Sequence, residues 1–194
     1  IVVSESIADN YQETYNLNIR PTVLLNIPPS NKYNKSDYLR THFSIPPNKL
    51  IFIYQGVLSY KRGIKEMLDT FSKTSFNVVL VFLGYGECEN EIKSYALKHK
   101  SILFHKAVPY SNLLELTSSA DYGMSFLLTE NFCLSYYFAM PNKFFEYMQA
   151  NLPIISSFGP DMSKLVNKFN LGIVCKNNKN LELSIKNIIS KDYN

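Results

Sequence analysis

The stretch KLIFIYQGVLSYKRGIKEMLDTFSKTSFNVVLVFLGYG, residues 49–86, reads as strand, turn, helix, strand. Lys49–Gly56 is an apolar run of strand length that stops at a glycine, and Asn77–Gly84 is a second one. Between them, Arg62–Ser72 carries Ile64, Met67, Leu68 and Phe71 at i, i+3, i+4 and i+7, which puts one apolar face on a helix. Both runs are continuously hydrophobic, the pattern of strands buried on both faces, so the stretch predicts a βαβ unit with parallel strands.

Outward from this unit the alternation continues. Strands are expected at Ser101–Lys106, Tyr122–Leu127, Pro153–Ser157 and Gly172–Lys176, and helices at Glu87–Lys98, Ser111–Ser119, Asn142–Ala150, Asp161–Phe169 and Leu181–Ser190. The fold class is therefore α/β, a doubly wound, Rossmann-like sheet of six parallel strands joined by right-handed crossovers. Such sheets bind ligands at the carboxyl ends of their strands. The N-terminal residues fit the repeat less well. IVVS, a polar helical stretch at Glu5–Tyr15, PTVLLN and the loop IPPSNKYNKSD read as the tail of a preceding unit and a linker. The expected division is residues 1–30 as that remnant and residues 31–194 as the ligand-binding domain. The start at Ile1, without an initiator methionine, reads as part of a longer chain.

Composition narrows the function classes. Of 194 residues, 46% are hydrophobic and 19% charged, which argues against disorder. Cys88, Cys133 and Cys175 have no paired spacing, so neither a disulfide framework nor a metal site is expected, and a reducing, cytoplasmic location follows. A net charge of +4 with scattered lysines gives no basis for nucleic-acid binding. No apolar run has the roughly 18–20 residues of a membrane span. A mildly basic surface suits anionic ligands or peripheral attachment to the inner face of a membrane.

Three loops hold the residues suited to chemistry. In YQGVLSYKRG, Gly56 lets a ligand approach the backbone, and Lys61 and Arg62 precede a helix start, a combination that suits a phosphate or a solvated basic turn. In GYGECENEI, Gly84 and Gly86 follow a strand, but Glu89 stands where a dinucleotide fingerprint needs its third glycine. A tight strand-to-helix turn is expected there, not an NAD site. In FAMPNKFFEYMQANLPIISS (Phe138–Ser157), a helix beginning at Asn142 and Lys143 offers unpaired backbone N–H groups to a diphosphate. Glu146 lies one turn further on, placed to accept both hydroxyls of a ribose or merely to balance the helix dipole.

These motifs, with SADYGMS (Ser119–Ser125) before the fourth strand, resemble the C-terminal, donor-binding domain of GT-B glycosyltransferases of the family 4 type over about Lys49 to Lys176. The resemblance implies a nucleotide diphosphate sugar donor, a glycan or lipid-linked acceptor held by an N-terminal domain, retention of anomeric configuration, no metal and no cofactor. It assigns the diphosphate to Arg62, with Lys61 or Lys143 covering Val57, which stands where the family has arginine. Both Arg62 and Glu146 are implied as catalytic, Glu146 through the ribose. Gly84, Lys106, Val108 and Pro109 fall near the nucleobase, Pro141, Asn142 and Lys143 near the diphosphate, and Gly56 belongs to the donor-binding set. Phe138 stands where the family has a sugar-facing glutamate, leaving Glu130, Asn131, Ser135 or Tyr137 to supply that contact. His105, within a strand, is expected to be a hydrogen-bonded core residue. The rival readings are a non-catalytic nucleotide-sugar-binding module, an oxidoreductase and a GT-B epimerase.

Overall fold

The structure, a computed structural model, describes residues 1–29, 33–128, 134–175 and 181–192. The six expected strands form one all-parallel sheet in the order β3-β2-β1-β4-β5-β6, with β1 Leu50–Val57, β2 Val78–Tyr85, β3 Ile102–Lys106, β4 Tyr122–Ser125, β5 Ile154–Ser157 and β6 Gly172–Cys175. Strand ends differ from the sequence reading by a residue or two. Lys176, the expected end of the last strand, lies outside the described residues.

Alternation along β1 sorts the core into two layers. Phe52 and Tyr54 join one cluster with Ile64, Met67, Leu68 and Phe71 of α3 (Ile64–Lys73), Ile92 of α4 (Glu89–Lys98) and Leu181, Ile185 and Ile188 of α9 (Leu181–Asp192). Ile51 and Ile53 join the other, with residues of α5 (Tyr110–Ser118), α7 (Asn142–Gln149) and α8 (Pro160–Phe169). The four apolar positions that predicted α3 are all fully buried, which is why that segment is helical where it is.

The N-terminal segment is attached to this body. Helix α1 (Glu5–Thr14) is capped by Ser4, Val2 bridges Val23, and the Ser6 amide donates to Asp161 at the start of α8. Just after the loop read as a linker lies a helix that the sequence reading missed, α2 (Tyr38–His42). Its five residues are too few to show an amphipathic period, and tertiary bonds hold it: the Leu39 amide donates to Ser119 Oγ, and Tyr38 Oη lies 3.1 Å from His105 Nε2. His105 is buried, with Nδ1 2.6 Å from the Lys106 carbonyl, and is the hydrogen-bonded core residue expected. A short helix, α6 (Leu134–Tyr137), was also not anticipated.

Strand order reverses between β1 and β4, and the carboxyl ends on either side of this switch define where a ligand can enter. Helix α7 is pinned there by Tyr147. Its hydroxyl accepts from the Gln55 amide and lies 3.1 Å from the Ile53 carbonyl and 3.3 Å from the Met124 carbonyl, so one side chain ties α7 to β1 and β4. Its ring fills the space over Gly123, where an added Cβ would lie 2.4 Å from Tyr147 Cγ.

Candidate functional site

A cleft of about 460 Å³ opens at this switch point. Its floor is two glycines paired in register, Gly56 at the end of β1 and Gly84 at the end of β2. They approach so closely that a Cβ on Gly84 would lie 1.9 Å from the Gly56 carbonyl oxygen, so the backbone itself is the surface a ligand meets. Around this floor stand Arg62, Asn142, Lys143 and Glu146, with Leu83, Val108 and Leu113 on the apolar side.

Arg62 ends a 3-10 turn (Tyr60–Arg62) that is stopped by Gly63 at φ 72°. It stands beside the Tyr54 hydroxyl, whose proton is held well above the usual phenol range by burial, with Arg62 pulling the other way. Asn142 and Lys143 are the first two residues of α7, after Pro141 as N-cap, and no earlier turn supplies acceptors for their amides. Asn142 is exposed, and its Oδ1 accepts from Asn26 Nδ2 at 2.7 Å. The Lys143 side chain is 6% exposed, and its Nζ sits 3.5 Å from the centroid of the Tyr54 ring without a hydrogen-bond partner.

Glu146 is half-buried, and one of its oxygens is committed: Oε2 accepts from Gln55 Nε2 at 2.6 Å, while Gln55 Oε1 accepts from Thr117 Oγ1 at 2.7 Å. Burial pushes the Glu146 carboxyl up, and the Gln55 bond and the Lys143 charge pull it back. Gln55, Thr117 and Tyr147 were not singled out in the sequence. The available signal was a glutamine ending an otherwise apolar strand, since a buried amide needs partners.

Thus the structure brings Gly56, Arg62, Gly84, Val108, Pro141, Asn142, Lys143 and Glu146 to one cleft. It does not bring Lys61 or Lys106 there: both are exposed and outside the lining. In a turn of about three residues per revolution, Lys61 sits roughly 120° around from Arg62. Strand alternation sets Lys106 opposite the buried His105, and the chain reaches the cleft through Ala107 and Val108 instead. Pro109 is exposed, outside the lining, and serves as N-cap of α5.

A neighbouring cleft of about 630 Å³ shares Arg62 and Pro141 and is lined by Phe138, Ser135 and Tyr136, with α1 on its far side. Among the described residues no carboxylate lines it. Tyr137 is outside that lining and packs on Phe138 and Phe158. Glu130 and Asn131 lie outside the described residues. Among the described residues no group of His, Cys, Asp and Glu could hold a metal ion, and no helix is long and apolar enough to cross a membrane.

A model of the family described as "Glycosyl transferases group 1" matches residues 36–192. The chain belongs to this family. Its fold is that of GT-B glycosyltransferases in solved structures. WaaG, a glycosyltransferase involved in lipopolysaccharide biosynthesis, superposes with a TM-score of 0.76 at 16% identity, over 97% of this chain and 53% of WaaG. HepE from Anabaena, solved with UDP-glucose, gives 0.75 at 15% identity, over 99% and 54%. The C-terminal domain of the group 1 protein LpcC from Francisella tularensis gives 0.58 at 16%, over 81% and 83%. This chain thus spans about half the length of the WaaG and HepE chains. No curated protein sequence matches.

Proposed function

We propose that this chain is the donor-binding half of a retaining, family 4-type glycosyltransferase. It moves a sugar from a nucleotide diphosphate sugar to a glycan or lipid-linked acceptor in cell-surface polysaccharide assembly, in the cytoplasm or at the inner face of a membrane. The observation that carries the reading is that Arg62, Lys143 and the start of α7 face the same glycine-floored cleft as Glu146. That arrangement puts positive charge and open amides beside a carboxylate spaced for a ribose. The superposition on HepE, which was solved with UDP-glucose, agrees with it.

In this reading residues 31–194 bind the donor, and residues 1–30 are the end of an N-terminal domain and its linker. The diphosphate lies between Arg62, Lys143 and the amides of Asn142 and Lys143. These donors stabilise the charge that grows on the leaving diphosphate as the glycosidic bond breaks. Glu146, with Oε2 fixed by Gln55, keeps Oε1 for the ribose hydroxyls. The sugar then extends past Arg62 toward the second cleft, on the side of Phe138.

A second reading, a nucleotide-sugar-binding module without transferase activity, is favoured by Phe138, which lines that second cleft at the position where the resemblance expects a glutamate. The deciding experiment is a transfer assay on the longer protein. Sugar transfer that is lost on Glu146→Ala supports the transferase. Nucleotide-sugar binding without transfer supports the module.

A further inference from the structure

Lys143 is buried far beyond what a surface lysine needs. Its side chain is 6% exposed, and its Nζ has no hydrogen-bond partner although three donors need acceptors. Strand β1 contributes the Tyr54 ring, whose centroid is 3.5 Å from Nζ, and Gly56, where an added Cβ would lie 3.9 Å from Lys143 Cε. The 3-10 turn contributes Arg62, a like charge, and α7 itself contributes Glu146, whose carboxylate is bonded to Gln55 and makes no ion pair with Lys143. The ring offsets only part of the cost of holding an unpaired ammonium out of water. Among the described residues, the cleft that Lys143 lines has two basic side chains, Arg62 and Lys143, for one carboxylate, beside the open amides of a helix start.

We propose that the Lys143 ammonium is the principal counter-ion of the donor's diphosphate, and that the diphosphate binds together with a proton taken up by Lys143. This rests on the reading of the cleft as a donor site and adds how that site recognises charge. Burial and then Arg62 hold Lys143's affinity for a proton well below that of an ordinary lysine, while Glu146 works the other way. A diphosphate placed against Nζ reverses the balance, because two or more negative charges arrive beside an amine that burial and the Arg62 charge otherwise disfavour in its protonated form. The proton joins the free amine, and no other bond changes. Binding therefore weakens as pH rises between the proton affinities of the free and occupied forms, by up to about tenfold per pH unit for one proton. A nucleoside without phosphates gains nothing from Lys143, and a monophosphate gains less than a diphosphate.

The test is calorimetric titration of the chain with UDP, GDP and ADP at about pH 8, where a terminal phosphate is fully ionised, in Tris and in HEPES, whose ionisation enthalpies differ. For the diphosphate that binds, the heats in the two buffers are expected to differ by the amount that uptake of up to one proton requires. Lys143→Met should bind the same diphosphate about thirtyfold or more weakly, with a heat independent of buffer. Its thermal midpoint shows that it is folded. Tight binding by the wild type with equal heats overturns this inference and leaves the donor site standing, as does unchanged affinity in Lys143→Met. No binding of any of the three diphosphates overturns both.

Discussion

Gln55 Nε2 donates to Glu146 Oε2 at 2.6 Å, and behind it Thr117 Oγ1 donates to Gln55 Oε1 at 2.7 Å. The carboxylate is thus held from β1, not from its own helix, and α5 in turn holds the amide. Gln55→Leu removes a bond to a charged acceptor and leaves Thr117 and Glu146 to find other partners in a buried place. Affinity for the nucleoside diphosphate should fall about tenfold while affinity for inorganic pyrophosphate is unchanged. Titration with both ligands checks it, and equal losses would show that Gln55 serves the fold and not the carboxylate.

Glu146 itself should be read out by the sugar of the nucleoside. The wild type is expected to prefer a ribonucleoside diphosphate over its 2′-deoxy form by about tenfold or more, the worth of a hydrogen bond to a charged group. Glu146→Gln should bind the two forms nearly alike. Competition binding with the pair of nucleotides measures this directly.

Lys143 predicts an opposition between stability and binding. Replacing a buried lysine whose amine has no partner by Met should raise unfolding stability by about 1–3 kcal/mol, measured by denaturant titration. The pH dependence has a definite sign. Lys143 binds its proton less tightly folded than unfolded, so the unfolded state holds more protons. Wild-type stability therefore rises with pH between the lowered folded value and the ordinary lysine value of about 10.4. Lys143→Met should lose that rise, and a variant less stable than the wild type would mean that the packing, not the charge, matters most.

Tyr147 and Gly123 form the joint that sets α7 against the sheet. Gly123→Ala places a methyl 2.4 Å from Tyr147 Cγ and should cost about 1–3 kcal/mol. Because Glu146 is the adjacent residue, nucleotide affinity should fall as well. Tyr147→Phe keeps the ring but strands the Gln55 amide, costing about 1–3 kcal/mol. Denaturation midpoints and titrations of the two variants check both effects.

The sheet was legible because each strand is an apolar run punctuated by glycine or proline, and because Ile64, Met67, Leu68 and Phe71 carry a helical period that burial confirms. Helix α2 was not legible: five residues have no period, and contacts with Ser119 and His105, distant in sequence, hold it. In the cleft, Gly56, Arg62, Asn142 and Glu146 could be read from loop chemistry. The hidden part was the direction of side chains: Lys61 and Arg62 are neighbours in sequence, yet only Arg62 lines the cleft. Lys143 was anticipated for its amide and its charge, whereas the burial of its ammonium over Tyr54 comes from packing that no local pattern encodes.

A single anion pocket that also grips a ribose is tested most directly by titration of the chain with UDP, GDP and ADP beside NADH. The expected result is saturable binding of at least one of the three diphosphates, weakened about tenfold or more by Arg62→Ala, with no binding of NADH. Failure of all three to bind, or binding of NADH at the same cleft, would contradict it.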